Sequence, residues 1–377
     1  MIYLDNAATT RVLPEMLSLD AECEALYFAN ANSRHKAGYA AKKALDEARK
    51  KILSLFNVSS SHRLLFTSGA TESNNLFIQG VARQYRNRGN RIITSAVEHP
   101  SVLEVFKALS EEGFDVVILP VNAEGKVLPE TLASAMNDKT ILVSIIAINN
   151  ETGSINDLAA LSKVVKQYPK AFFHSDITQL AGKYKIDLSM LDGFSFSAHK
   201  FHGRKGVGGL VLKKNVSLHH LLNGGDQEEG LRPGTNNVSG AITMAKALEI
   251  AYANMAKNTA KITSLMALLE SKLAECNDNI IVNSPKNHSP YVINISLKHH
   301  KASVFIEALS NIDIYVSSVS ACSSKGEPVS SVLLAMGKSN EEAGNAIRIS
   351  PCEQNDEGDI LTLVDALKKL FKEVHPR

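Results

Sequence analysis

A small and apolar run, Phe194-Ser195-Phe196-Ser197, leads into Ala198-His199-Lys200 and then the glycine-rich turn Phe201-His202-Gly203-Arg204-Lys205-Gly206. The alternation is that of a buried strand, and it delivers Lys200 to the strand's end. Desolvation there disfavours the ammonium, and a neutral amine can attack a carbonyl and hold it as an imine. A lone lysine after a strand is ordinarily a solvated surface residue. Residues at other strand ends turn the reading toward chemistry.

The elements that position them alternate. Strands are expected over 64–67, 91–96, 115–119, 140–148, 171–176 and 194–197, with helices from about 70 to 88 and from Pro100, Pro129 and Asn156. Repeated βα units predict a mainly parallel sheet with helices on both faces, whose ligands collect at the carboxyl ends of the strands. Glu98-His99, Asn149-Asn150-Glu151, Asp176 with Gln179, and Ser197-Ala198-His199-Lys200 all fall there. The turn Ser68-Gly69-Ala70-Thr71-Glu72-Ser73-Asn74-Asn75 opens a helix whose free amides suit a phosphate, and Thr71 adds a hydroxyl. By itself that turn is more often an ordinary capped helix start.

An imine-forming lysine, a carboxylate, an imidazole and a phosphate cradle are together the parts of a pyridoxal phosphate site. Lys200 would carry the aldehyde, and Asp176 would pair with the pyridinium nitrogen. His99 would stack on the ring, and Gln179 would bond its phenolic oxygen. Thr71, Ser197, His199 and the amides of the Ala70 turn would hold the phosphate.

Length and composition frame this site. At 377 residues the chain predicts two units, a large domain over 15–255 and a small α+β domain formed by 1–14 with 256–377. In the latter, strands are expected over 280–282, 291–296 and 312–316, and helices over 302–309 and 360–371, after a helix bend near 256–259. A net charge of +2 gives no electrostatic footprint for nucleic acid or an anionic membrane. The four cysteines (Cys23, Cys276, Cys322, Cys352) form no CxxC pair, so no disulfide framework or metal-ligand set is assigned and metal binding is left open. No basic and apolar leader pattern opens the sequence, and its longest apolar run is too short to span a bilayer, so a cytoplasmic protein is expected.

The sequence resembles the cysteine desulfurases of the class V aminotransferase-like, fold-type I family. The likeness runs from Tyr3-Leu4-Asp5-Asn6-Ala7-Ala8-Thr9-Thr10 to Arg348-Ile349-Ser350. It is carried most by the 67–75 turn, Glu98-His99, Ser197-Ala198-His199-Lys200 with Gly203, and Ser320-Ala321-Cys322-Ser323-Ser324. The resemblance implies a large domain with a seven-stranded sheet, a homodimer with its site at the interface, and Thr235 reaching the partner's phosphate. It also implies Asn149 beside cofactor and substrate, and Arg348 clamping the substrate carboxylate. Cys322 would be the catalytic cysteine, on an extended mobile arm.

The implied reaction takes sulfur from L-cysteine and leaves L-alanine. Lys200 or His99 would carry the α-proton, and Cys322 would accept the sulfur as a persulfide for an iron–sulfur scaffold, a tRNA-thiolation protein or a small sulfur carrier. Only the thiolate attacks, so Cys322 needs a pKa below the usual ~8.5. A selenocysteine lyase or an aminotransferase of the same fold is the alternative. An idle scaffold subunit is disfavoured by Lys200, Asp176, His99, Cys322 and Arg348 standing together. The chain departs from the family pattern at Ala31, where proline is usual, at Arg204, and at Cys352, which is read as structural.

Overall fold

The computed structural model describes residues 1–318 and 329–375. Cys322 therefore lies outside the described residues, as does the expected arm that carries it.

Seven strands make the central sheet, in spatial order His62–Thr67, Gly208–Lys213, Gly193–Ser197, Phe172–Asp176, Thr140–Ser144, Arg91–Ser95 and Asp115–Leu119. The last five pair in parallel, whereas Gly208–Lys213 runs antiparallel to both of its neighbours. Adjacent residues of one strand feed opposite faces. Leu64, Ile93, Val143, Phe194 and Phe196 join the core under the helix Lys36–Leu55. Leu65, Ile92 and Leu142 join the core under the helices Ala70–Gln84 and Pro100–Glu111. Burial on both faces explains why these strands read as continuous apolar runs.

A smaller antiparallel sheet follows, ordered Ser317–Ser318, Ala346–Ile349, Ile293–Leu297, Ile280–Val282. Its core takes residues from the helices Met255–Ala274, Ala302–Ser310 and Glu357–Glu373, and also Leu4 and Ala7 from the chain start. The short strand Ile2–Tyr3 pairs in parallel with Ile314–Tyr315, which ties that start to the C-terminal unit. No helix among the described residues is long and apolar enough to cross a membrane.

Several expected boundaries shift. The strand expected to run to residue 148 ends at Ser144; the buried chain beyond it still donates from Ile145 and Ala147 to the His174 and Asp176 carbonyls and makes an isolated bridge between Ile148 and Ile155. The helix expected to reach residue 88 stops at Gln84, and the one placed at Asn156 starts at Leu158 behind an Asp157 cap. The helix break falls at Asn254. Expected strands 291–296 and 312–316 are Ile293–Leu297 and Ile314–Tyr315.

Two strands that position the site, Gly208–Lys213 and Ala346–Ile349, had no place in the expected element order. The first opens on Gly208-Gly209, which reads as a turn. In the fold these glycines permit close contact, since a Cβ on Gly208 would stand 2.6 Å from both the Gly69 Cα and the Phe196 carbonyl oxygen. Gly208→Ala should push the Gly69 turn off the sheet. It should cost about 1–3 kcal/mol, as overpacking usually does. An unchanged urea midpoint in equilibrium unfolding would contradict this packing.

Candidate active site

Lys200 ends the single 3₁₀ turn Ala198–Lys200 that follows the strand Gly193–Ser197. Its Nζ donates to the Ala7 and Ala8 carbonyl oxygens at 2.6 and 2.7 Å. A neutral amine has two N–H bonds, so both are used and the lone pair is left for the cavity. Burial, helped by the charges of Arg348 and Lys183 and opposed by Asp176 and Asp5, pushes the Lys200 pKa down to about 7. The 7–10 segment that supplies the carbonyls is itself clamped, since Thr10 N and Oγ1 both donate to the His199 carbonyl at 2.9 Å.

Asp176 closes the strand Phe172–Asp176 and is buried. Its Oδ2 accepts from Asn74 Nδ2 at 2.8 Å and its Oδ1 from the Thr178 amide at 2.9 Å. Both donors are neutral, so the carboxyl group is held without a cation at these bonds. The Asn74 amide group also donates to Ser101 Oγ at 2.9 Å, and Ser101 Oγ lies 2.8 Å from His99 Nδ1. The Ser101 amide donates to the same Nδ1 at 3.1 Å. That bond makes Nδ1 the acceptor and puts the proton of a neutral ring on Nε2. Burial lowers the His99 pKa, outweighing Asp176, so the ring stays neutral at physiological pH.

The helix Ala70–Gln84 points its first turn into the same space, and its Thr71 and Glu72 amides have no acceptor one turn earlier in the helix. Ser197 Oγ accepts from the Ala70 amide at 2.7 Å, anchoring that turn to the end of the lysine strand. His199 Nδ1 lies 3.2 Å from Thr9 Oγ1. Burial and then Lys200, Lys205 and Lys183 push its pKa down to about 4, so it offers hydrogen bonding without charge. Gln179 donates to the Ala7 carbonyl at 2.9 Å and accepts from Lys183 Nζ at 3.1 Å.

These groups share one cavity of about 740 Å³, lined by Thr71, His99, Asp176, Gln179, Lys200 and Arg348 among others. Ala70, Ser197 and His199 also lie on its wall. Arg348 comes from the unforeseen strand Ala346–Ile349. It pairs with Asp5 at 2.8 Å and donates to the Asn150 carbonyl at 3.1 Å, while its buried Nε has no partner among the described residues. Ser317 and Ser318 on one side of the 319–328 segment, and Val329 and Ser330 on the other, line the cavity too.

Two residues implied by resemblance stand elsewhere. Asn149 is buried outside the cavity lining. Its Nδ2 donates to the Val97 carbonyl, and its Oδ1 accepts from the Glu151 and Thr152 amides, so its side chain pins the loop. Thr235 is exposed and does not reach this cavity. Its loop is anchored by Glu228, whose carboxylate pairs with Arg49 at 2.8 Å and accepts from the Phe66 amide at 2.9 Å.

Sequence reasoning had no role for several groups found here. Asn74 links Asp176 to His99, and its place one helical turn after Ala70 was the available signal. Glu98 is buried with a pKa pushed up to about 8 by desolvation, and it accepts from Ser95 Oγ and the Ile146 amide at 2.6 and 2.8 Å. Glu151 is pushed up to about 7 by burial and accepts from Ser330 Oγ at 2.5 Å. Lys183, with a pKa lowered to about 8 by burial, left no local signal, since its neighbours in space are remote in sequence.

Residues 2–363 match the family described as Aminotransferase class-V. A protein of Lactobacillus delbrueckii subsp. bulgaricus named "NifS/IcsS protein homolog" is 37% identical over 380 residues, spanning 100% of this chain and 97% of that protein. A "Cysteine desulfurase IscS" of Dictyoglomus turgidum is 37% identical over 376 residues, spanning 99% of this chain and 95% of its own. A solved structure titled "NIFS-LIKE PROTEIN" superposes with a TM-score of 0.92 at 35% identity, covering 99% of this chain and 100% of that one. The fold and site define an α/β enzyme scaffold built around a buried lysine. The chain belongs to the class-V aminotransferase family.

The Lys200 amine is unreactive while protonated and becomes a nucleophile as pH rises through its own pKa. Competitive acylation of the cofactor-free chain, read by peptide mass spectrometry, should show half-maximal Lys200 labelling near pH 7. Ordinary surface lysines should titrate near ~10.4. A Lys200 midpoint among those surface lysines would contradict its desolvation.

Proposed function

We propose that this protein is a pyridoxal phosphate-dependent cysteine desulfurase, a sulfurtransferase that converts L-cysteine to L-alanine and takes the sulfur onto Cys322. The observation that carries the reading is the single cavity that joins Lys200, Asp176 and His99 to Arg348 and to both ends of the segment containing Cys322. The names of the full-length relatives agree with it.

The residues present fit the cofactor. Asp176, bonded only by neutral donors at its two oxygens, suits a protonated ring nitrogen. Thr178 Oγ1, on the same wall, is buried without a partner among the described residues. The first-turn amides after Gly69, with Thr71, Ser197 and an uncharged His199, suit a phosphate. Lys200 would hold the aldehyde, His99 would face the ring, and Gln179 would meet its phenolic oxygen. Asn149 keeps its loop in place beside the cavity, and Thr235 would serve the partner's phosphate in a homodimer. When bound, pyridoxal phosphate supplies an electron-accepting ring.

The chain's own residues do the rest. Arg348, on the cavity wall, would offer its guanidinium to a substrate carboxylate, for which it is the matching donor. A neutral Lys200 can take a proton from the substrate's Cα, and His99 holds a proton on Nε2 that it can lend. Cys322 follows Ser318, which lines the wall, by four positions in the sequence. The Cys322 thiolate would attack the substrate sulfur, the carbon–sulfur bond would break with its electron pair left on the substrate carbon, which takes up a proton to become the methyl group of alanine, and the persulfide would remain on the enzyme until an acceptor protein takes it. That acceptor would be an iron–sulfur scaffold or a tRNA-thiolation sulfurtransferase, in the cytoplasm. We further propose that residues 15–255 form one domain and 1–14 with 256–377 the other, as the separate hydrophobic cores support.

The holoenzyme with L-cysteine and a thiol reductant should release alanine and sulfide together, and Cys322→Ala should lose both by orders of magnitude. Alanine without sulfide, or a Cys322→Ala variant as active as the parent, would move the reading to an aminotransferase or another lyase. A strong preference for selenocysteine would make it a selenocysteine lyase. Arg348→Ala should raise KM roughly 10–100-fold, the worth of one or two charge-assisted hydrogen bonds. An unchanged KM would remove Arg348 from carboxylate binding.

A further inference from the structure

A second cavity, of about 280 Å³, lies against Lys200, which lines both. Its wall carries His202, Cys352 and Glu353. The ligating atoms of these three residues lie within 4.8 Å of one another. The reading of the functional site uses none of them, and Cys352 is where the chain departs from its family pattern.

The imidazole is fixed by what surrounds it. His202 takes a left-handed backbone conformation with φ of 64°, and its amide donates to Thr10 Oγ1 at 2.7 Å. Its Nδ1 lies 2.8 Å from the Arg11 carbonyl oxygen, which can only accept, so Nδ1 carries the hydrogen. The neutral ring therefore turns the lone pair of Nε2 toward Glu353 Oε1 at 2.9 Å. Two acceptors at that distance are held together only by a positive species, either a proton or a metal ion. A histidine whose second nitrogen bonds a backbone carbonyl is also the usual arrangement around a metal ligand.

The main chain of the other two ligands is held as well. The Cys352 amide donates to Asn355 Oδ1 at 2.9 Å, and Lys261 donates to the Glu353 carbonyl at 2.7 Å. The nearby ammonium of Lys183 is engaged by Gln179 at 3.1 Å and lies 5.2 Å over the Tyr291 ring.

We propose that His202, Cys352 and Glu353 form a binding site for a zinc-type divalent cation, with its fourth position open to the second cavity. Imidazole, thiolate and carboxylate together are a zinc ligand set, whereas magnesium and calcium prefer all-oxygen shells. Tetrahedral zinc holds such ligand atoms roughly 3.3–3.8 Å apart, so the His202–Glu353 pair, now at 2.9 Å, would open by about half an ångström and the widest spacing, within 4.8 Å, would close by roughly 1–1.5 Å. Binding releases the thiol proton to solvent. The site is independent of the desulfurase reading.

The test uses the full-length holoenzyme, stripped of metal by a chelator, in a Cys322→Ser background so that this thiol cannot contribute. Titration with Co²⁺ should give one equivalent of visible bands typical of four-coordinate cobalt, with thiolate charge transfer in the near-ultraviolet difference spectrum, both displaced by Zn²⁺. Adding Cys352→Ser should abolish the charge transfer, and Glu353→Gln should weaken binding about 10-fold or more. Six-coordinate spectra only, or charge transfer that survives Cys352→Ser, would overturn the site. Should Cys352→Ser fail to fold, an unaltered cobalt affinity in Glu353→Gln would overturn it instead.

Discussion

The structure depends on the burial of one amine. A pKa lowered from 10.5 to about 7 corresponds to a bias of order 5 kcal/mol against the ammonium form. The opposing carboxylates at Asp176 and Asp5 do not cancel it. Two backbone carbonyls use the amine's two N–H bonds, and they come from a segment that packs with the smaller sheet. The Asn6 amide donates to the Ser350 carbonyl at 3.1 Å and the Ala7 amide to Ser350 Oγ at 2.9 Å. Lys200 thus sits at a seam. The large sheet brings the lysine, and the small unit brings the groups that hold it.

The rest of the site follows the same economy of charge. Asp176, Asn74, Ser101 and His99 form one hydrogen-bonded chain from the sheet to the histidine-capped helix. In a low-dielectric pocket such chains fix geometry because an unsatisfied member is costly. His99 and His199 are both driven toward neutrality by burial, so each offers a hydrogen bond at physiological pH without adding charge. Arg348 is the fixed positive group on the cavity wall, tied to Asp5 at the start of the chain.

Much of this was legible in the sequence. The parallel strands announce themselves through apolar runs, and their carboxyl ends through abrupt polar residues, so Lys200, Asp176, Gln179 and Ser197 could be placed together. Arg348 and Cys322 entered through family likeness, because their local sequence carries no periodic signal for a site. The Gly208–Lys213 strand was hidden by its opening glycines, whose reason is contact with Gly69 and Phe196. Asn149 looks like a ligand at a strand end, but the tight turn after it uses its Oδ1 and the Val97 carbonyl takes its Nδ2 hydrogen bond. The His202–Cys352–Glu353 cluster was out of reach, since 149 positions separate its first two members (203–351) and only the fold closes the gap.

The buried Lys200 amine shows itself in the site of covalent attachment. The holoenzyme would be reduced with borohydride, digested, and its phosphopyridoxyl-labelled peptide sequenced by mass spectrometry. A single label on Lys200 is expected. A label on Lys183, or distributed over surface lysines, would contradict it.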